Sequence, residues 1–134
     1  MIFIDTGAFL ARHLKSDQYH ERAIKSWEKL RERFPRAYTS NFVVSETLTF
    51  LGRRTDYQYA SEVGHNIYAS SFLTILRPDH ADETEALKWM SKYADLNVSF
   101  TDCVSFSLMK RSRITQVFGY DQRHFESAGF LIWE

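Results

Sequence analysis

The chain opens with Met1-Ile2-Phe3-Ile4-Asp5-Thr6, and the run Ile2-Phe3-Ile4 decides the fold. Three large apolar residues in succession, with no polar alternation, suit a strand covered on both faces, which belongs in the middle of a parallel sheet. Asp5 ends that strand, and the residues from about Thr6 to Leu14 read as a helix. An acid at such a junction stands at the carboxyl edge of the sheet, where loops open into helices and α/β folds collect their chemistry.

The same alternation continues outward. Tyr19 to Phe34 places Ala23, Trp27, Leu30 and Phe34 at helical spacing against Glu21, Arg22, Lys25, Glu28 and Lys29, and Pro35 stops it. Ala37-Tyr38-Thr39 reads as a short strand, Asn41 to Arg53 as a helix with Val44, Leu48 and Leu51 on one stripe, and Asp56 to Ser70 as another helix. Phe72 to Leu76 is a further strand, Pro78-Asp79 starts a helix through Leu87 and Met90, and Phe100 to Ser112 is helical. Thr115 to Tyr120 and Phe130 to Trp133 read as the last two strands. Strands separated by helices imply right-handed crossovers and a central, mainly parallel sheet between helix layers, a three-layer α/β/α domain. With 134 residues, two prolines, five glycines and no linker or repeat, residues 1–134 read as one domain.

Composition limits the functions. Hydrophobic residues make up 44% and charged residues 25%, which excludes a mainly disordered chain. Lys plus Arg and Asp plus Glu are both 17, so no global basic field exists to hold a nucleic acid, and any such role needs a local site. The one cysteine, Cys103, excludes an internal disulfide and a cysteine-rich zinc site. The first residues carry no signal-peptide pattern, so the expected location is cytoplasmic.

The informative residues are acids. Asp5 and Asp121 each follow a strand, Asp102 lies in the first turn of its helix, and Glu46 lies inside a helix with Phe42, Val43 and Phe50 as neighbours. Taken singly, Asp5 fits a helix cap, Asp121 a turn, and Ser99-Phe100-Thr101-Asp102 a capping box. Capping does not account for Glu46, whose apolar neighbours make a lone charge costly. All four on one edge would repel one another without a cation, and oxygen ligands suit Mg2+ or Mn2+ rather than zinc.

The residues resemble the PIN-domain nucleases, and among them the small VapC-type toxins of toxin–antitoxin pairs. The resemblance covers essentially the whole chain. It rests on Ile2-Phe3-Ile4-Asp5-Thr6, on Ser40-Asn41-Phe42-Val43-Val44-Ser45-Glu46, on Leu96-Asn97-Val98-Ser99-Phe100-Thr101-Asp102-Cys103, and on Val117-Phe118-Gly119-Tyr120-Asp121 through Ala128-Gly129-Phe130. It implies that Asp5, Glu46, Asp102 and Asp121 form an acidic cluster that binds Mg2+ or Mn2+ and cleaves RNA. Asp121-Gln122-Arg123-His124-Phe125 departs from the family pattern by being one residue longer between acid and phenylalanine. A small antitoxin segment is the implied partner, with self-association as a homodimer or a larger toxin–antitoxin assembly.

The chemistry expected at such a cluster is metal-assisted phosphodiester hydrolysis. Asp5 and Asp102 are the expected direct ligands, Glu46 orients a water or a second ion, and Asp121 acts through water. Thr6 and Thr101 stand beside the main acids, either as orienting hydrogen-bond donors or as ordinary helix-start residues. Arg123 and His124 are candidate RNA-phosphate contacts, or else part of a solvated turn. Arg53, Arg54, Lys110, Arg111 and Arg113 sit at helix C-termini, where cations complement the helix dipole. Cys103 reads as a packed residue, not a nucleophile. Trp27, Phe34, Tyr57, Tyr59 and Tyr68 mostly fit a core, although Tyr57 and Tyr59 cannot both face inward.

Three readings compete with a toxin. A stand-alone PIN-type RNA-processing nuclease would use the same cluster. An interaction module of this fold would need no metal. A phosphatase of the kind with an aspartate after a strand would carry a second acid two residues on, where this chain has Gly7.

Overall fold

A computed structural model describes residues 1–134. In chain order its elements are β1 (Ile2–Ile4), α1 (Thr6–His13), α2 (His20–Arg33), β2 (Ala37–Ser40), α3 (Asn41–Arg54), α4 (Tyr57–Ala69), β3 (Leu73–Leu76), α5 (His80–Lys92), α6 (Phe100–Arg111), β4 (Gln116–Phe118), α7 (Gln122–Ser127) and β5 (Leu131–Ile132). The strands form one sheet in the order β3-β2-β1-β4-β5, and every pairing is parallel. Steps from β1 to β2 to β3 run one way across the sheet, and steps from β3 to β4 to β5 run the other way. Right-handed crossovers therefore put α1 to α4 on one face and α5 to α7 on the opposite one. Packing agrees: α1 lies on α2 and α3, α3 on α4, and α5 on α6. The expected three-layer α/β/α architecture is what forms.

β1 is central, as its unbroken apolarity requires, and Ile2, Phe3 and Ile4 are fully buried. Trp27 ties both sides of this centre together. Its indole N–H donates to the Ala8 carbonyl at 3.1 Å, and its ring lies 5.4 Å from Phe9 and 5.5 Å from Phe118. Helix starts follow local chemistry: Ser40 caps α3 by accepting from the Val43 N–H, Asp56 caps α4, and Asp79 with Asp82 forms a full capping box on α5. No helix is long and apolar enough to cross a membrane.

Several expectations need correction. The strand expected over Phe72 to Leu76 forms as Leu73–Leu76, at an edge of the sheet and half-buried throughout. The fourth strand stops at Phe118 instead of reaching Tyr120. Its last bond is the Asp5 N–H donating to the Phe118 carbonyl, after which Tyr120 turns away to stack on Tyr19 with ring centroids 4.4 Å apart. The last strand shrinks to Leu131–Ile132 at the other edge. Two short elements lie where no helix is expected, a 3-10 turn at Ala94–Leu96 and the whole of α7. Tyr57 and Tyr68 are exposed, so the aromatic residues named for the core contribute only Trp27, Phe34 and Tyr59 to it.

Candidate metal centre and substrate cleft

Each acid reaches the carboxyl edge of the sheet by a different route. Asp5 follows β1 directly and is held there by its backbone bond to Phe118. Gly119, next along β4's exit, makes room for it: a Cβ at Gly119 would lie 3.0 Å from the Asp5 Cβ and 3.3 Å from its Oδ2. Asp102 sits in the first turn of α6, where the Ser99 Oγ accepts its backbone N–H at 3.1 Å. Only this half of the capping box forms, which leaves the Asp102 carboxylate free to face the cluster. Glu46 lies on the second turn of α3, and the start of that helix is fixed against the start of α6 by the Phe42–Phe100 ring contact at 5.9 Å. Asp121 is the residue before α7 and is exposed.

Burial and repulsion make this edge electrostatically costly. Asp5 is 3% exposed and its Oδ1 has no hydrogen-bond partner. Its carboxyl titrates well above the ordinary range, first because burial disfavours the charge and next because Asp102 is close. Glu46 and Asp121 push in the same direction, and the Thr6 backbone N–H offsets only part of this. Asp102 is likewise raised, by burial and then by Asp121 and Glu46, against the lowering effects of Ser99 and His124. Asp5 therefore feels all three other acids, and Asp102 feels Asp121 and Glu46. No lysine or arginine forms an ion pair with any of them.

Glu46 differs from expectation in its surroundings. It is half-buried, and with Asn41, Phe42, Ser45, Thr49, Phe50, Arg53 and Thr101 it lines an open cleft of about 470 Å³. Its neighbours are not a closed apolar environment: Phe50 is exposed, and Ser45 and Thr49 face solvent. Thr101 lines the cleft, whereas the Thr6 Oγ1 is buried without a partner.

His124 and Arg123 part company. Arg123 is exposed. The His124 ring is turned inward: Nε2 lies 2.9 Å from the Leu96 carbonyl, and Nδ1 lies 2.8 Å from Asp121 Oδ2 and 3.4 Å from Asp102 Oδ2. One helical turn separates Asp121 from His124, and this spacing brings acid and imidazole to the same side of α7.

Three contributions are hard to find by sequence reasoning. Gly119 matters through an absent side chain, which leaves no pattern. Asn41, whose Oδ1 is buried and unpartnered, opens α3 beside the cleft. Arg53 lies in the cleft wall instead of serving only the helix end. The signal for Arg53 was present, since it stands seven residues from Glu46 and two helical turns return it to the same face. Arg111 does behave as a structural cation, with its Nε 2.9 Å from Asp82 Oδ1. Cys103 is fully buried and its thiol is pushed up to about 11, first by burial and then by Asp102, which excludes a thiolate nucleophile at neutral pH.

His124 is the one basic side chain within reach of these acids, on Asp121 and Asp102, and no basic side chain acts on Asp5. Buried carboxylates with an unpartnered oxygen fit a divalent ion, whose charge would offset both the desolvation and the mutual repulsion.

Comparison with known proteins identifies the family. The chain is 32% identical over 134 residues to the 23S rRNA-specific endonuclease VapC20 of Mycobacterium tuberculosis, covering 98% of this chain and 96% of that protein. The crystal structure of the same mycobacterial protein, described as a Sarcin-Ricin loop cleaving toxin, superposes with a TM-score of 0.88 at 28% identity, covering 98% of this chain and 97% of that one. FitAcB from Neisseria gonorrhoeae shares the fold with a TM-score of 0.72 at 16% identity, covering 100% of this chain and 97% of that one. The PIN domain family model matches residues 2–131, and the chain belongs to the PIN-domain family.

Proposed function

We propose that this protein, as a single nuclease domain over residues 1–134, is a metal-dependent endoribonuclease of the VapC type, the toxin of a toxin–antitoxin pair. The observation that carries the reading is Asp5: a carboxylate 3% exposed, with an unpartnered oxygen, facing further acids and no neutralising side chain. An uncompensated site of this kind is costly to the fold and is explained by the ion it holds. Asp5, Asp102, Glu46 and Asp121 are the residues that would hold Mg2+ or Mn2+. Bound there, such an ion supplies an activated water and polarises a phosphoryl oxygen.

The chain's own residues do the rest. Asp5 and Asp102, both buried, fix the position at which charge is neutralised, and Glu46, at the junction of acid cluster and cleft, orients a water toward the substrate phosphate. The cleft along α3 receives the RNA strand, with Arg53 on its wall and Arg123 on its rim as phosphate contacts. The named activity of the mycobacterial relative makes ribosomal RNA the substrate class to test first. Its description as a toxin supports a small antitoxin protein as partner, with homodimeric or larger toxin–antitoxin assembly.

The test is a cleavage assay on a ribosomal RNA fragment and on unstructured single-stranded RNA. The expected result is internal cleavage with Mg2+ or Mn2+ that stops on adding EDTA. Cleavage that persists in chelator by protein free of metal would overturn the proposal.

A further inference from the structure

Oxygen ligands dominate the acidic edge, but one donor beside it is nitrogen. The Leu96 carbonyl can only accept, so the proton it binds at 2.9 Å sits on the His124 Nε2. In the neutral ring that leaves the lone pair on Nδ1. This nitrogen is buried, and although Asp121 Oδ2 lies 2.8 Å away and Asp102 Oδ2 3.4 Å away, neither oxygen is aligned to share a hydrogen bond with it. Nδ1 therefore meets two carboxylates either through a proton of its own, as an ion pair, or through a cation held among the three donors. The three donor atoms fall within 4.8 Å of one another. Neighbouring corners of an octahedron of ligands at about 2.1 Å are ~3.0 Å apart, which falls between the two nitrogen–oxygen distances.

The anchoring resembles that of ligating imidazoles in general, whose second N–H is fixed by a backbone carbonyl or carboxylate. Both ends of the arrangement come from α7 packing: Asp121 and His124 lie one turn apart, and the buried Phe125 fixes the helix against Phe106 at 5.1 Å. Asp5, 3% exposed with an unpartnered Oδ1, is not one of these three donors.

We infer that His124 is a ligand of the divalent ion, its Nδ1 joining Asp102 and Asp121, so that the centre favours Mn2+ over Mg2+. Mg2+ takes oxygen ligands and retains its waters, whereas Mn2+, although the first of the divalent transition series, accepts an imidazole nitrogen more readily than Mg2+ does. The inference rests on the proposed metal-dependent function and refines the ligand set of that same site.

The experiment uses the full chain and the ions alone. Mn2+ and Mg2+ binding is measured by calorimetry for the wild type, His124→Ala and His124→Asn, with melting in chelator to establish that each variant folds. Pulsed electron paramagnetic resonance on the Mn2+ forms reports directly bound nitrogen. The expected result is nitrogen modulation in the wild type that disappears in both variants. Mn2+ affinity should fall at least about tenfold in His124→Ala, with a smaller loss for Mg2+. His124→Asn, which offers an amide oxygen in place of the nitrogen, should recover Mg2+ more than Mn2+. Mn2+ bound by the wild type without nitrogen modulation overturns the inference and leaves the metal-dependent nuclease standing. Tighter binding of both ions by His124→Ala also overturns it, because His124 would then be an internal cation competing for the acids. Failure of the wild type to bind either ion at millimolar concentration would remove the proposed function itself, and the inference with it.

Discussion

Asp102 is placed to serve the helix and the cluster at once, and the two duties predict opposite outcomes for Asp102→Asn. As an acid in the first turn of α6 it complements the helix dipole, and losing it costs about 0.3–1 kcal/mol whether or not metal is present. As one of several carboxylates on a crowded edge, with its proton affinity raised by burial and by Asp121, it destabilises the metal-free fold. The second effect is the larger one here, since the Ser99 cap uses the Asp102 backbone N–H and survives the substitution. Paired melts should therefore cross over, the variant at least matching the wild type in chelator and the wild type winning in millimolar Mg2+ or Mn2+. A constant deficit at every metal concentration would return Asp102 to simple capping. Glu46 has no such second duty, because it is half-buried on an open cleft. Glu46→Gln should keep the wild-type melting temperature in chelator and lose about 10–100-fold in RNA cleavage. Full activity in the Glu46→Gln variant would make Glu46 a lining residue only.

At the scale of elements, α7 shows what the sequence could and could not convey. β1 and the helix after it were legible because three apolar residues without alternation have one good solution, a central strand, and the acid after them marks the edge. α7 has six residues and buries one, Phe125, so no apolar period exists to betray it. β3 was legible as a strand, but its place at the edge was not. Its apolar run satisfies a half-covered edge as well as a centre, and only the crossover pattern decides. The inward turn of His124 depends on a carbonyl 28 residues earlier in the chain, which no local pattern encodes. Since α7 carries both Asp121 and His124, its one buried anchor should control them. Phe125→Ala should cost roughly 3–5 kcal/mol, read by denaturant unfolding in chelator. The stabilisation conferred by Mn2+ should shrink disproportionately in the same variant. If stability falls but the Mn2+ response stays that of the wild type, α7 does not position metal ligands.

For the whole molecule, the ion belongs in the folding equilibrium as much as in the chemistry. Positive and negative side chains balance at 17 each, so the fold has no overall charge to relieve and the strain is confined to one edge. Asp5 carries the clearest part of it. Its folded carboxyl binds protons more tightly than in the unfolded chain, where the ordinary value is about 3.9. Between that value and the raised one the folded state holds more protons than the unfolded state, so stability falls as pH rises through this window. Above the window the charge is present in both states and the full penalty remains. Asp5→Asn removes the titration while keeping size and a side-chain oxygen. In chelator at neutral pH the variant should therefore melt higher than the wild type, and the gap should close as pH falls below about 4, where Asp5 is protonated in both states. Groups shifted the other way, such as Asp79, are common to both proteins and cancel in the difference. Millimolar Mn2+ at neutral pH should reverse the order, because an ion that binds only the folded site raises wild-type stability by mass action and the variant loses a ligand. Melting curves for the two proteins across pH, with and without metal, decide it. A gap independent of pH, or a wild type that is the more stable in chelator at neutral pH, would show that Asp5 sits comfortably without an ion and would remove the electrostatic basis of the metal centre.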